Sequence, residues 1–391
     1  MELSNTFIRY FRSIKDPRRC NRNRRHELID ILVITILGTI CGIETWSELY
    51  DFGCAKIEWL KTFLMLPNGI PSEDTFARVF SIINPKEFDR CFSNWIRSLS
   101  IDVENAVIAI DGKTLRGSQD KPKGNKGIHI VSAWTSKHKL MLAQVKTADK
   151  SNEIEAIPRL LKMIDIKNSI ITIDAMGCQK KIATQILKQE ADYILSLKSN
   201  QPNLLADVKS IFAGATSGEK KFKKMLHLRK VEKTKAHGRY ERRTYTLLSA
   251  RDFTEFHARW PGMNSIGMVE TKRTVNHETK NSVRFFITTI LYNKIDDFIL
   301  GVRKHWDIEN NLHWSLDVSF KEDLNRTRKL NAAENLATVR RITLNLLKQE
   351  NTHKAGLIRK RKLAGWDHVY LMKVLTADQQ VNENCKVVQN V

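Results

Sequence analysis

The stretch Val107–Ser118, VIAIDGKTLRGS, decides how this chain is read. Val107, Ile108, Ala109 and Ile110 form an apolar, largely β-branched run that meets Asp111 and Gly112, the pattern of a short buried strand. The run predicts a strand with Asp111 at its last position, so that a carboxylate emerges from an apolar floor. A charge there is costly unless something positive meets it. The competing reading is that Asp111-Gly112 only opens a turn.

The downstream sequence favours the first reading. From Ile101 the pattern is one of strands: Val107–Ile110, Gly127–Thr135 and Lys139–Val145 form a predicted meander. Ser151–Ile164 has Ile154, Ile157, Leu160, Leu161 and Ile164 at helical spacing. Ser169–Ile173 is a second buried strand running straight into an acid, Asp174. A helix over Gln179–Gln189 and a strand over Tyr193–Leu197 follow. If the first strand is central in its sheet, the ends carrying Asp111 and Asp174 are neighbours, as in a ribonuclease-H-like core. Two adjacent carboxylates repel unless a divalent cation neutralises them. Hard oxygen ligands without a nearby histidine or cysteine suit Mg²⁺ or Mn²⁺.

The predicted fold class is therefore α/β, a ribonuclease-H-like catalytic core with a helical N-terminal domain and a β-rich insertion. The expected boundaries are a helical region at 1–100, the first part of the core at 101–201, a basic β-rich insertion at 202–290, the rest of the core at 291–350, and a basic, then polar, tail at 351–391. In the N-terminal region, Ile31–Ile43 is a 13-residue uncharged stretch, too short to span a bilayer and read as a buried helix. No signal peptide is visible, which predicts a cytoplasmic protein associated with the bacterial nucleoid and no membrane partner. Ser72 is the predicted cap of a helix bearing Phe76, Val79, Phe80 and Ile83. In the insertion, strands are predicted at Tyr240–Leu248, Ser265–Thr274 and Ser282–Thr289. A single helix over Ile295–Phe320 returns to the core, with Glu309 between His305 and His313 on one face. That histidine spacing hints at zinc, but no third soft ligand completes it.

The 391 residues carry 65 Lys and Arg against 43 Asp and Glu, a net charge of +22. Such an excess is an electrostatic footprint for a polyanion, nucleic acid first. Five arginines, Arg18, Arg19, Arg22, Arg24 and Arg25, fall within eight positions and are candidate phosphate contacts. Lys113, Arg116 and Lys198 are candidates beside the acids, and Arg239 on the insertion. The six cysteines are scattered without a Cys-x-x-Cys pair, which fits reduced thiols rather than a disulfide framework or zinc knuckle.

Five motifs occur together in order: Ile-Asp-Gly-Lys-Thr-Leu-Arg-Gly at 110–117, Lys-Ser-Asn-Glu at 150–153, Thr-Ile-Asp-Ala-Met-Gly-Cys-Gln at 172–179, Leu-Lys-Ser-Asn-Gln at 197–201, and His-Trp-Asp-Ile-Glu-Asn-Asn-Leu-His-Trp at 305–314. This set resembles the ISAs1-family transposases, which include the H-repeat-associated proteins of bacteria and are similar to the IS4-like DDE transposases. Asn-Gly-Ile-Pro-Ser-Glu-Asp-Thr-Phe at 68–76 resembles that family's N-terminal associated region. The resemblance implies a triad of Asp111, Asp174 and Glu309 holding two Mg²⁺ (or Mn²⁺) ions. It also implies cleavage and transfer of DNA strands at transposon ends and target DNA, by a homodimer. Where the IS4-like signature has tyrosine, arginine and lysine around the glutamate, this chain has Val302, His305 and Leu316. Asp317 is the nearest alternative third acid. Two other functions share this sequence pattern: a metal-dependent nuclease without strand transfer, and a DNA-binding remnant with a decayed site.

Overall fold

The computed structural model describes residues 8–19, 24–120, 122, 124, 126–147, 152–217, 227–236, 238–251 and 260–377. The architecture is mixed α/β: a helical layer and one nine-stranded mixed sheet in the order β3-β2-β1-β4-β5-β9-β8-β7-β6. The first five strands are β1 (Val107–Leu115), β2 (Ile128–Thr135), β3 (Leu140–Thr147), β4 (Ile170–Ile173) and β5 (Asp192–Leu197). β1 lies inside the sheet, antiparallel to β2 and parallel to β4. Its apolar half needs no alternation because both faces are covered: Ile108, Ala109 and Ile110 are fully buried.

β1 does not end at Asp111, contrary to the sequence expectation. The ladder to β2 continues through Asp111↔Ser132 and Gly112↔Val131 to Leu115↔Ile128. Asp111-Gly112 does not turn because both residues are paired across to β2. The glycine answers a packing need instead: a Cβ at Gly112 would run into Glu153 Oε1 and His129 Nε2.

The segment 202–290 supplies a helix, Pro202–Ser217, and the strands β6 (His227–Ala236), β7 (Arg239–Ser249), β8 (Ser265–Val275) and β9 (Glu278–Thr288). β9 pairs antiparallel with β5, so these strands extend the same sheet. β6 was not expected. Its sequence, HLRKVEKTKA, is polar and almost wholly exposed, and pairing with β7 holds it as a strand.

The helical layer is α1 (Ile8–Phe11), α2 (Leu28–Cys41), α3 (Trp46–Ala55), α4 (Ile57–Leu60), α5 (Glu73–Ile82) and α6 (Pro85–Ser98). α2 is the expected buried helix, apolar on all sides, with Ile31, Leu32, Ile34, Leu37 and Ile40 fully buried. Gly42 ends it at φ 100°, a left-handed position suited to glycine, and its N–H bonds back to Gly38 and Thr39. Thr45 and Glu48 form a capping box on α3, and Ser72 caps α5 through the Thr75 N–H, as expected.

Further helices are α7 (Glu153–Met163), α8 (Lys180–Lys188) and α10 (Ile295–His305), with Pro202–Ser217 as α9. α10 lies across one sheet face, its Phe298, Ile299 and Val302 packing with Val107, Ile170, Ile194 and Tyr245. The expected continuous helix 295–320 is interrupted. After His305 comes a π-helical turn, Ile308–His313, then α11 (Trp314–Val318). The near-C-terminal helix α12 (Ala332–Gln349) ties the layers together. Its Asn345 bonds both backbone groups of Met141 on β3, and Asn335 donates to Phe80 and Ile83 at the end of α5. α13 (Leu357–Trp366) and α14 (His368–Leu375) complete the chain's described part.

Gly112→Ala is expected to destabilise the protein by about 1–3 kcal/mol, because the new methyl must displace the buried Glu153–His129 pair. The shift in denaturant midpoint, at unchanged slope, measures it.

Candidate active site

The β1–β4 register brings the first two acids together. Ile110 pairs with Ile173 in parallel, so Asp111 and Asp174 occupy the next positions on neighbouring strands. Adjacent strands lie about 4.8 Å apart. β4 ends at Ile173, and Asp174 caps the following turn by accepting the Met176 N–H at 2.9 Å. Asp111 remains inside its strand, its side chain 21% exposed. Burial pushes its carboxyl up to about 7, and the charges of Asp174, Glu153 and Glu309 push in the same direction.

Glu309 reaches this neighbourhood from the π-helical turn, where it is exposed, and the burial it does have raises its carboxyl. π turns widen a helix locally and cluster at functional sites. Asp317, the alternative acid, is engaged elsewhere: its Oδ1 lies 2.8 Å from Lys113 Nζ. Two neutral imidazoles flank the acids. His313 Nδ1 is 3.6 Å from Asp111 Oδ2, while its Nε2 is buried without a hydrogen-bond partner; burial drives it down to about 3. His305 Nδ1 sits 3.1 Å from Thr172 Oγ1, and burial drives it to about 4.

The sequence reading gave Glu153 and His129 no role. Glu153 opens α7 and is 3% exposed. The Nε2–H of His129 donates to its Oε1 at 2.6 Å, and His129 Nδ1 lies 2.8 Å from Thr114 Oγ1. Gly112 and Thr114 share the strand face opposite Asp111, so this pair presses on the acid from behind. Lys-Ser-Asn-Glu at 150–153 was the available signal for Glu153. A histidine in an apolar strand gave none for His129.

The acid set presents hard oxygens and, among the described residues, no lysine or arginine paired with Asp111, a chemistry that fits a divalent metal ion. Among the described residues, no three His, Cys, Asp or Glu side chains close into a ready-made metal cage.

The cationic candidates fare differently. Arg18 is spent on Asp16 (2.7 Å) and is 8% exposed at its side chain; Arg24 lies 3.8 Å from both Asp16 and Glu27. Arg19 and Arg25 are exposed, and Arg22 lies outside the described residues. Lys113 points inward to carboxylates rather than toward a phosphate, which corrects its sequence reading. Arg116 is 82% exposed at its side chain, and Lys198 is exposed just past the end of β5. Arg239 belongs to a groove of about 940 Å³ between β7–β9 and α10, shared with Arg243, Arg273, Lys280 and Arg284. Trp306, Asp307 and Asn310 line the same groove, on either side of Glu309 in sequence. Arg239, Arg273 and Lys280 have no carboxylate within ion-pairing distance among the described residues. Arg284 lies 5.8 Å from the Trp306 ring centre, and that indole is 44% exposed.

Two acids on neighbouring strands and a groove rich in arginine and lysine suit a protein that processes nucleic acid, and sequence comparison gives the class. The family described as Transposase DDE domain matches residues 104–346, and the family described as DDE_Tnp_1-associated matches 8–96. The chain belongs to the DDE transposases, among those associated with H repeats. It is 41% identical over 355 residues to the H repeat-associated putative transposase YhhI of Escherichia coli K12, covering 90% of this chain and 92% of that protein. The putative protein YbfL of the same strain matches at the same identity and coverage. The putative transposase YncI of E. coli O157:H7 is 36% identical over 400 residues, 99% of this chain and 98% of that protein.

The raised Asp111 makes a pH prediction for the metal-free protein. Folded Asp111 titrates near 7 and its ordinary value is 3.8, so its contribution to stability is lost as pH rises across that window. Asp111→Asn should therefore raise the melting temperature at pH 8 and change it little at pH 4, as read by paired thermal scans.

Proposed function

We propose that this protein is the transposase of an insertion sequence, which cleaves DNA strands at the element's ends and joins them to target DNA. Strands β1–β5 form the ribonuclease-H-like centre of that activity, and Asp111, Asp174 and Glu309 are its carboxylates. The observation that carries the reading is the parallel β1–β4 register, which makes neighbours of two acids 63 residues apart, the second adding to the burial that raises the carboxyl of the first.

Asp111, Asp174 and Glu309 would hold Mg²⁺ or Mn²⁺, which supplies Lewis acidity for an in-line phosphoryl transfer. The protein's own groups do the rest. Burial of Asp111 and the neutral states of His305 and His313 exclude competing ammonium-like charges from the acid cluster. The groove cations neutralise phosphates and fix the register of the strand, while Trp306 offers a flat apolar face. Lys198 stands on the far side of β4 from Asp111 and meets the backbone there. Such a protein works in the cytoplasm, where its DNA lies, and joining two ends calls for two copies. No helix among the described residues is by itself long and apolar enough to cross a membrane.

Asp111→Ala and Asp174→Ala should each lower Mg²⁺-dependent cleavage of an end-bearing duplex at least about a thousandfold, about 4 kcal/mol of barrier, with DNA affinity retained. Undiminished cleavage in either variant would refute the assignment. A pre-cleaved end tests strand transfer separately, and cutting without joining would leave a nuclease. In the groove, Arg273→Glu combined with Lys280→Glu should weaken DNA binding and flatten its salt dependence by about two, near 0.9 per lost phosphate contact. Fluorescence anisotropy over a salt series measures it.

A further inference from the structure

We propose that Lys113 is a positioning residue, which clamps the segment following Glu309 onto β1 and so sets the distance of that glutamate from Asp111. The inference rests on the functional reading above.

Asp111 and Lys113 are two positions apart on one strand and face the same side of the sheet. His313 and Asp317 are four positions apart on the segment that leaves the π turn. Two strand residues advance about 6.6 Å and four helical residues about 6 Å. The two spacings match, and the contacts run in step: His313 stands against Asp111 at 3.6 Å, and Asp317 against Lys113 at 2.8 Å. The segment thus lies along β1 in a fixed register, its polar rungs supplied by the first acid and by the lysine two positions after it.

Lys113 fastens more than one rung. Its Nζ, in a side chain 8% exposed, donates to Asp323 at 2.9 Å and lies 3.6 Å from Glu322. Asp323 Oδ1 also accepts the backbone N–H of Arg116 at 3.1 Å. Glu322, fully buried, is held from its other side by Arg341 at 2.7 Å. Burial alone would pull the Lys113 ammonium down, yet Glu322, Asp317 and Asp323 hold it above the ordinary lysine value. Further on, the backbone closes tightly: a Cβ at Gly117 would strike the carbonyl of Asn325, and Arg328 donates to the Gly117 carbonyl at 3.1 Å. One strand therefore carries both the first acid and the cation that anchors the chain just beyond the third.

The arrangement also separates two groups of acids. Asp317, Glu322 and Asp323 are met by Lys113 and Arg341. Among the described residues, no Lys or Arg pairs with Asp111, Asp174 or Glu309. Lys113 keeps the first group in place and out of the second.

The test is Lys113→Met in the full chain, read by three measurements: melting temperature, hydrogen exchange, and cleavage kinetics on end-bearing duplex with Mg²⁺. The expected result is faster exchange of amides across 308–324 with β2 and β3 unchanged, kcat at least tenfold lower, and KM for DNA within twofold of wild type. If the single variant does not fold, Lys113→Met with Asp323→Asn removes one stranded carboxylate and is measured in its place, with the same expectation. A variant that folds and cleaves at the wild-type rate overturns the proposal. So does one whose kcat falls while exchange across 308–324 is unaltered, or whose cleavage returns once Asp323→Asn restores stability. Wild-type protein that fails to cleave, beside a Lys113→Met variant with loosened 308–324, would sink the transposase reading and leave the clamp standing.

Discussion

The pairing of β1 with β4 is the constraint on which the rest depends. Parallel register fixes which residues face each other, and one position past Ile110↔Ile173 it sets carboxylate beside carboxylate. The surroundings amplify the conflict. Apolar β-branched residues lead up to both acids, and at Asp111 burial raises the carboxyl, with the Asp174 charge adding to the effect. The helices around it serve that geometry: α7 backs Asp111 through Glu153, and α10 hands the chain to the turn bearing Glu309.

Much of this was legible in the sequence, for identifiable reasons. Two apolar runs ending in Asp111 and Asp174 announce buried strands with acids beyond them, and the fully apolar Ile31–Ile43 announces a helix buried on all sides. What escaped depends on pairing across long stretches of chain. Asp111-Gly112 looks like a turn because nothing local says that β2 will pair with both residues. β6 looks like a solvated loop because its strand state comes from β7. The π turn is hidden because helical spacing of apolar residues tolerates one extra residue per turn. Lys113 reads as a candidate phosphate contact beside the acids because nothing local announces Asp317 and Asp323, which reach it from some 200 residues away.

Charge is distributed unevenly, and composition cannot show how. The N-terminal arginine run is the most conspicuous basic feature of the sequence, yet Arg18 and Arg24 are drawn to Asp16. The groove draws its cations from β7, β8, β9 and α10, so the basic character that the sequence shows in the insertion becomes one surface only through pairing and packing. Because β9 is hydrogen-bonded to β5, the groove wall and the acid-bearing strands are parts of one sheet. A load on one is carried to the other through main-chain hydrogen bonds rather than through a flexible linker.

The packing of α2 has a consequence for biosynthesis. This helix presents apolar side chains around its whole circumference, and α12, α13 and α14, some 300 residues later, cover part of it. A ribosome exposes α2 long before those helices are made, so the nascent chain must carry an unsheathed greasy rod through most of its translation. Polypeptides released early, before the last helices emerge, are left with that rod uncovered and are natural clients for chaperones and proteases. Only a finished molecule closes over it, which ties the quality of the helical layer to completion of the message.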